Sequence, residues 1–179
     1  MRSAPYQVVI GAAEPGGVLD LRASSEIASR VARMIGTRLP AKVGHIERLG
    51  ALVILNLGPD HWLLRVPHYY LQKQYDRLER AIEQGRGMVT DVSDAYIVLS
   101  IEGDGIIDIL AQGCPLDFDL SAFPIGTYAS SVLARCAVLL IRRAAGFDLL
   151  VDRTYADYIR QWLHAAAGSD TLKIFEPSE

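Results

Sequence analysis

The sequence predicts an α+β fold: layered, with mostly antiparallel sheet covered by amphipathic helices. Three observations carry the expectation. Short apolar runs come in pairs around turn residues, longer runs show helical spacing, and the order hairpin-then-helix occurs twice.

The first helix is read in "SSEIASRVARMIG" (residues 24–36), where Ile27, Val31, Met34 and Ile35 share a face. Ser24 or Ser25 is placed to cap it and Gly36 to end it. "ALVILNLG" and "HWLLRV" follow as a hairpin around Gly58, Pro59 and Asp60. Pro67 suits a first helical turn, and Leu71, Tyr75, Leu78 and Ile82 stripe the next helix. "AYIVLSIEGDGIIDILAQG" reads as a strand running into a short helix through Gly103 to Gly105. "CAVLLIRRAAGFDLLVDR" is the second hairpin, turning near Ala144 to Gly146, and "TYADYIRQWLHAAA" is its helix. Thr154 and Asp157 have the spacing of a capping box, and Tyr155, Tyr158, Ile159, Trp162 and Leu163 fall on one face. No Pro, Gly or Ser-rich linker divides the chain. It reads as a single domain over 1–179, with a core at about 18–166 and a looser tail at 168–179, Leu172, Ile174 and Phe175 excepted.

Composition narrows the function classes. Half of the 179 residues are apolar, which is high for a small monomer: either the core is unusually full or, the favoured reading, part of the surface is covered by a partner. A net charge of −3 and no long basic run give no electrostatic case for nucleic acid. No apolar run approaches the roughly 20 residues of a membrane span, so no membrane is expected as a partner. "MRSAPYQVVIGAAEPGG" is too weakly patterned for a signal peptide. Two cysteines outside any C-x-x-C pair fit a reducing compartment, and the expected location is cytoplasmic.

Motifs for catalysis fail on their chemistry. "GAAEPGGV" has glycines at phosphate-loop spacing, but Gly17 and Val18 stand where lysine and Ser/Thr are needed; a plain glycine turn is expected. "GDGIID" has Asp108 at the third glycine position, and Asp104 reads as a helix cap. "DFDLSAFPIGTY" begins like a calcium loop with Asp117, Asp119 and Ser121, yet Ala122 and Tyr128 replace the required glycine and bidentate acid. His45, His61, His68 and His164 show no metal-binding spacing. His61 and Trp62 at a strand start read as surface histidine and core tryptophan, with contact to a partner or ligand as the alternative. Cys114 follows a helix end at Gly113, a favourable left-handed terminator, and precedes Pro115. The negative end of the helix dipole and the nearby carboxylates disfavour a thiolate, so Cys114 reads as an apolar plug and Cys136 as core. The expected catalytic, cofactor-binding and metal-binding residues on this chain are none.

"LGPDHWLLRVP", "VTDVSDAYIVLSIEGDGIIDILAQGCPLDFDLSAFPIGTYASSVLARCAVLLIRR" and "FDLLVDRTYADYIRQWL" together resemble the gamma subunit of heterotetrameric sarcosine oxidase. The shared order is an L-G-P-[DE]-x-W-L-L hairpin, a D-V-S strand, G-C-P-L-D, and an F-[AD]-x-Y-x-x-x-W-L type helix, from about Leu57 to Leu163. The resemblance implies a fold similar to the N-terminal folate-binding domain of glycine cleavage T-protein. It implies a small, non-catalytic structural subunit of a complex that oxidatively demethylates sarcosine or a related N-methyl amine, with tetrahydrofolate taking up the one-carbon unit. FAD, FMN, NAD and zinc are then expected on the alpha, beta and delta subunits, with the large alpha subunit as main partner.

Two departures bear on the alternative, an autonomous folate-binding or aminomethyltransferase-like domain. T-proteins carry G-G-x-[IL]-D-D in the hairpin after the G-x-x-x-x-Y segment, whereas here no acid lies between Tyr128 and Arg143. A folate amine would lack its general base. Folate-binding iron–sulfur repair proteins carry K-G-C-Y-x-G-Q-E, against "QGCPLDFD" here. For contact with partners, the loop from Asp117 to Thr127 is the expected surface, with Phe118, Phe123 and Pro124 as anchors and Arg142 and Arg143 as ion-pair donors. The same loop folded back on its own sheet is the alternative.

Overall fold

The computed structural model describes residues 8–12, 16–83, 85–168 and 172–175. In chain order the strands are β1 (Val8–Ala12), β2 (Gly16–Ala23), β3 (Ile46–Leu49), β4 (Leu52–Gly58), β5 (His61–Pro67), β6 (Gly87–Asp91), β7 (Tyr96–Gly103), β8 (Tyr128–Leu133), β9 (Cys136–Arg142), β10 (Gly146–Asp152) and β11 (Leu172–Phe175). The helices are α1 (Ser25–Ile35), α2 (Leu71–Ile82), α3 (Ile106–Ala111) and α4 (Ala156–Ala167). This is the α+β class expected. Where the sequence reads as one domain, the chain divides into two compact units, residues 14–93 and residues 1–13 with 94–179.

The unit over 14–93 holds an antiparallel sheet in the order β3-β4-β5-β2-β6. Alternate residues bury one face: Leu19, Leu21 and Ala23 of β2, Leu52 and Ile54 of β4, and Trp62, Leu64 and Val66 of β5. Ile27, Val31 and Ile35 of α1 and Leu78 and Ala81 of α2 pack on them. Each buried Leu or Ile contributes about 1.5–3 kcal/mol of transfer free energy. The expected stripe on α2 faces this core, with Leu78 buried and Leu71, Tyr75 and Ile82 packed against the cluster, and Gln74 and Ala81 are buried beside it. Ser24 is the N-cap residue of α1 without a side-chain cap bond, and Gly36 ends the helix at φ 82. "GAAEPGGV" is not a simple turn: Gly11 lies in β1 and Gly16 and Gly17 in β2, while residues 13–15 lie outside the described residues.

The other unit holds a six-stranded sheet in the order β11-β1-β7-β10-β9-β8. All its pairings are antiparallel except β1 with β11. β11 gives Leu172–Phe175 of the expected loose tail a regular backbone partner in β1. Val138 and Leu140 of β9 and Phe147, Leu149 and Val151 of β10 face a core shared with Ile106, Ile109 and Leu110 of α3 and Ile159 and Leu163 of α4.

Three local expectations are corrected. The turn into α4 is held by Asp152, whose Oδ1 accepts from the Thr154 N–H at 2.9 Å, so the cap lies two residues before the expected box. Tyr155 and Tyr158 are half-exposed, and the buried stripe of α4 is Ala156, Ile159, Leu163 and Ala167. Gly105, not Asp104, is the residue at the start of α3, in the left-handed conformation at φ 84.

Candidate functional site

The segment from Gly113 to Thr127 links α3 to β8 and contains most of the residues singled out in the sequence. Gly113 is absent from the left-handed glycines, so its requirement is steric: a Cβ there would lie 2.5 Å from the Trp162 ring. Cys114 comes next, buried, with its N–H donating to the Leu110 carbonyl at 2.9 Å. Its Sγ lies 3.6 Å from the Ser131 Oγ. A thiol paired with a hydroxyl has no base to take its proton, and the geometry supplies packing.

The carboxylates after Cys114 are spent on turns. Asp117 Oδ1 accepts from the Asp119 N–H at 2.9 Å, and Asp119 Oδ1 accepts from the Ser121 N–H at 2.8 Å and its hydroxyl at 2.6 Å. The Ser121 hydroxyl and N–H, with a smaller contribution from the Arg142 charge, hold the Asp119 carboxyl below its ordinary value. The loop is thus shaped by its own side chains.

The expected anchors turn inward. Phe118 is 6% exposed and Phe123 4% exposed. With Phe147 of β10 they form an aromatic cluster, with ring centroids 5.6 to 6.4 Å apart. Arg142, expected at a partner contact, is 7% exposed. Its Nη1 donates to the carbonyls of both Phe118 and Phe123 at 2.7 Å, and its guanidinium lies 5.5 Å from the Phe147 ring centroid. These three residues therefore fold the loop onto its own sheet. The rings of Phe118, Phe123 and Phe147 bury one another, and the two carbonyls accept from the buried guanidinium. Pro124 does remain exposed, beside Ile125, and Leu120 stands out at the loop tip.

Arg143 is also occupied within the sheet. Its Nε lies 2.7 Å from Asp148 Oδ1, its Nη1 2.6 Å from Glu102 Oε1, and its Nη2 donates to the Ser100 hydroxyl at 2.6 Å. The acids expected on a neighbouring chain are supplied by β7 and β10. Gly146 fits the same corner, because a Cβ there would meet the Ile101 carbonyl oxygen at 2.0 Å.

The unit over 14–93 carries an open groove of about 700 Å³ between α1, residues 38–43 and the β4–β5 turn. Trp62 forms part of its wall, and its Nε1 donates to the Pro40 carbonyl at 2.9 Å, which also accepts from Asn56 Nδ2 at 2.8 Å. Trp62 is buried core, as the sequence suggests. His61 is half-buried and hydrogen-bonds Asp20 at 2.8 Å. Among the described residues, no group of three His, Cys, Asp or Glu side chains is arranged to hold a metal ion. Among the described residues no helix is long and apolar enough to cross a membrane.

Sequence reasoning missed the exposed apolar residues of the loop, Leu120 and Ile125. Leu120 had a readable signal: it sits between Asp119 and Ser121, whose polar groups close a turn and force the intervening side chain outward.

Comparison with known proteins adds to this picture. The model of the family described as sarcosine oxidase, gamma subunit family, matches residues 21–169. The chain is 30% identical over 135 residues to the sarcosine oxidase subunit gamma of Corynebacterium sp. (strain U-96), covering 74% of this chain and 65% of that subunit, just under two thirds of its length. In structure it is similar to a chain of the heterotetrameric sarcosine oxidase from Corynebacterium sp. U-96 in complex with pyrrole 2-carboxylate. That likeness has a TM-score of 0.86 and 28% identity, over 94% of this chain and 88% of that one. It also shares its fold with the glycine cleavage system aminomethyltransferase T from Bartonella henselae, at a TM-score of 0.69 and 12% identity, over 95% of this chain and 48% of that one. Hairpin, loop and helix thus occur here in an order that a family model recognises over most of the chain, and the chain belongs to the sarcosine oxidase gamma subunit family.

Proposed function

We propose that the chain is a small structural subunit of a heterotetrameric sarcosine oxidase or a related N-methyl amine oxidase or dehydrogenase. Its partners are the alpha, beta and delta subunits, chiefly alpha, and they hold the FAD, FMN, NAD and zinc. The complex demethylates its amine oxidatively and passes the one-carbon unit to tetrahydrofolate. The observation that carries this reading is the likeness, over nearly the whole of both chains, to a chain from a heterotetrameric enzyme of that type. The candidate site supports a structural role: its cysteine is packed against a hydroxyl, its acids close turns, and its arginines are held by carbonyls and carboxylates of the same unit. Co-expression with the other subunits tests it. The chain should elute with them in a constant ratio, and flavin absorbance and sarcosine oxidation should travel with that complex. Saturable tetrahydrofolate binding or amine turnover by the isolated chain would overturn it in favour of an autonomous folate-binding domain.

A further inference from the structure

Each of the two sheets ends in outer strands, and β8 differs from both outer strands of the other unit. β3 carries Glu47 and Arg48 and β6 carries Asp91, whereas β8, "YASSVL", has neither a charge nor a proline. Charges on an outer strand are the usual protection against unwanted pairing, and β8 lacks it.

The direction of its free groups follows from register. Ala134 and Arg135, at φ 49 and 71, make a two-residue turn between the partners Leu133 and Cys136. In such a hairpin the flanking pair is hydrogen-bonded and the pairs alternate from there. Leu133, Ser131 and Ala129 therefore turn their N–H and C=O toward β9, and Val132 and Ser130 turn theirs outward. Among the described residues no strand pairs with that outer edge. The free stretch is bounded at one end by Ala134, whose N–H donates to the Gly113 carbonyl at 3.0 Å. At the other end Gly126 and Thr127 are both tied to Arg142.

The side chains at this edge suit a partner. Val132 is 44% exposed, and the loop leading into β8 presents Leu120 at 57% and Ile125 at 53%. That loop is tied to its own sheet by Arg142 and the buried phenylalanines, which lowers the ordering cost of presenting its apolar tip.

Resting on the subunit reading above, we propose that the outer edge of β8 receives an extended, apolar segment of a partner subunit as an added strand, which also covers Leu120 and Ile125. A second copy of this chain fits less well. Antiparallel β8–β8 pairing would set the exposed, charged Arg135 turn of one copy against the apolar Pro124–Ile125 end of the other.

Two edge variants test the proposal in the co-expressed complex. Ser130→Pro removes an outward N–H while leaving the β9 pairing intact, a position where an outer strand tolerates proline. Val132→Lys adds the missing edge charge. Each should weaken association of the chain with its partners at least tenfold in sedimentation or titration experiments, with the melting temperature of the isolated variant unchanged. Met88→Lys, on the outer strand of the other unit, should assemble as the parent does. Should Ser130→Pro misfold, Val132→Lys at its exposed site decides the matter alone. Parent-like assembly of the correctly folded edge variants overturns the proposal and leaves the subunit reading standing. A parent chain that self-associates through this edge, with dissociation on Val132→Lys, overturns it in favour of a second copy. A parent chain that never joins the other subunits overturns both.

Discussion

The two units tie a loop to a hairpin by the same device and with different chemistry. In the unit over 14–93, the Pro40 carbonyl accepts from Trp62 Nε1 and Asn56 Nδ2, so one acceptor is held by two neutral donors. In the other unit the relation is reversed: one cationic donor, Arg142, holds the carbonyls of Phe118 and Phe123. Two donors on one acceptor are redundant, because losing one leaves the carbonyl satisfied. One donor on two acceptors is not, and its loss leaves two carbonyls unpaired at once. Both of those carbonyls in the loop from Asp117 to Thr127 thus rely on one side chain.

The largest expected effect comes from breaking that dependence. Arg142→Met keeps the length of the side chain and removes the donor, and should destabilise by about 3 kcal/mol, since an unsatisfied buried polar group costs about 1–3 kcal/mol. Urea unfolding measures it, and a variant as stable as the parent would mean that the loop is held by phenylalanine packing alone. In the matching change of the other unit, Trp62→Phe, the lost hydrogen bond should cost only about 1 kcal/mol, because Asn56 still donates to Pro40, and any further loss reflects the buried ring volume removed. Equal losses for the two variants would break the contrast.

The smallest effect sharpens the comparison through pH. Asp119 and Asp152 both sit below the ordinary 3.8, held there by the hydroxyls and then the N–H groups of Ser121 and Thr154. A carboxylate lowered on folding contributes stability that is complete above its unfolded value and lost as pH falls through the folded one. The double variant Asp119→Asn and Asp152→Asn should therefore be less stable than the parent at neutral pH and lose less stability on acidification, so that the two converge in urea unfolding below pH 3.8. Both turns belong to the unit with the arginine tie. The neutral Trp62–Asn56–Pro40 tie contains no group that titrates, so it contributes nothing to that window.

Much of the fold was legible because it is written in local periodicity. Ile27, Val31 and Ile35, the strands on either side of Gly58–Asp60, and the hairpin before α4 follow from spacing and turn chemistry alone. The residues that misled are those whose placement depends on distant partners. Phe118 and Phe123 look like exposed anchors in a loop, yet Phe147 and Arg142, far along the chain, draw them inward. Arg143 looks like a free cation at a hairpin end, yet Glu102 sits beside it across the sheet. β1 escaped notice because a five-residue strand beside glycines has little period of its own, and it forms through pairing with β7 and β11.

By itself, then, the amino-acid sequence determined the class of the fold, its repeated hairpins and helices, and the family through motifs in a fixed order. Those are properties of neighbours along the chain and of their sequence order. Only the tertiary structure decided which apolar residues of the Asp117–Thr127 loop are core and which are surface, and that β8 is an outer strand with a bare edge. The physical reason is that burial and strand order depend on contacts between residues well separated in sequence, and no local pattern records which side of a strand will be left without a partner.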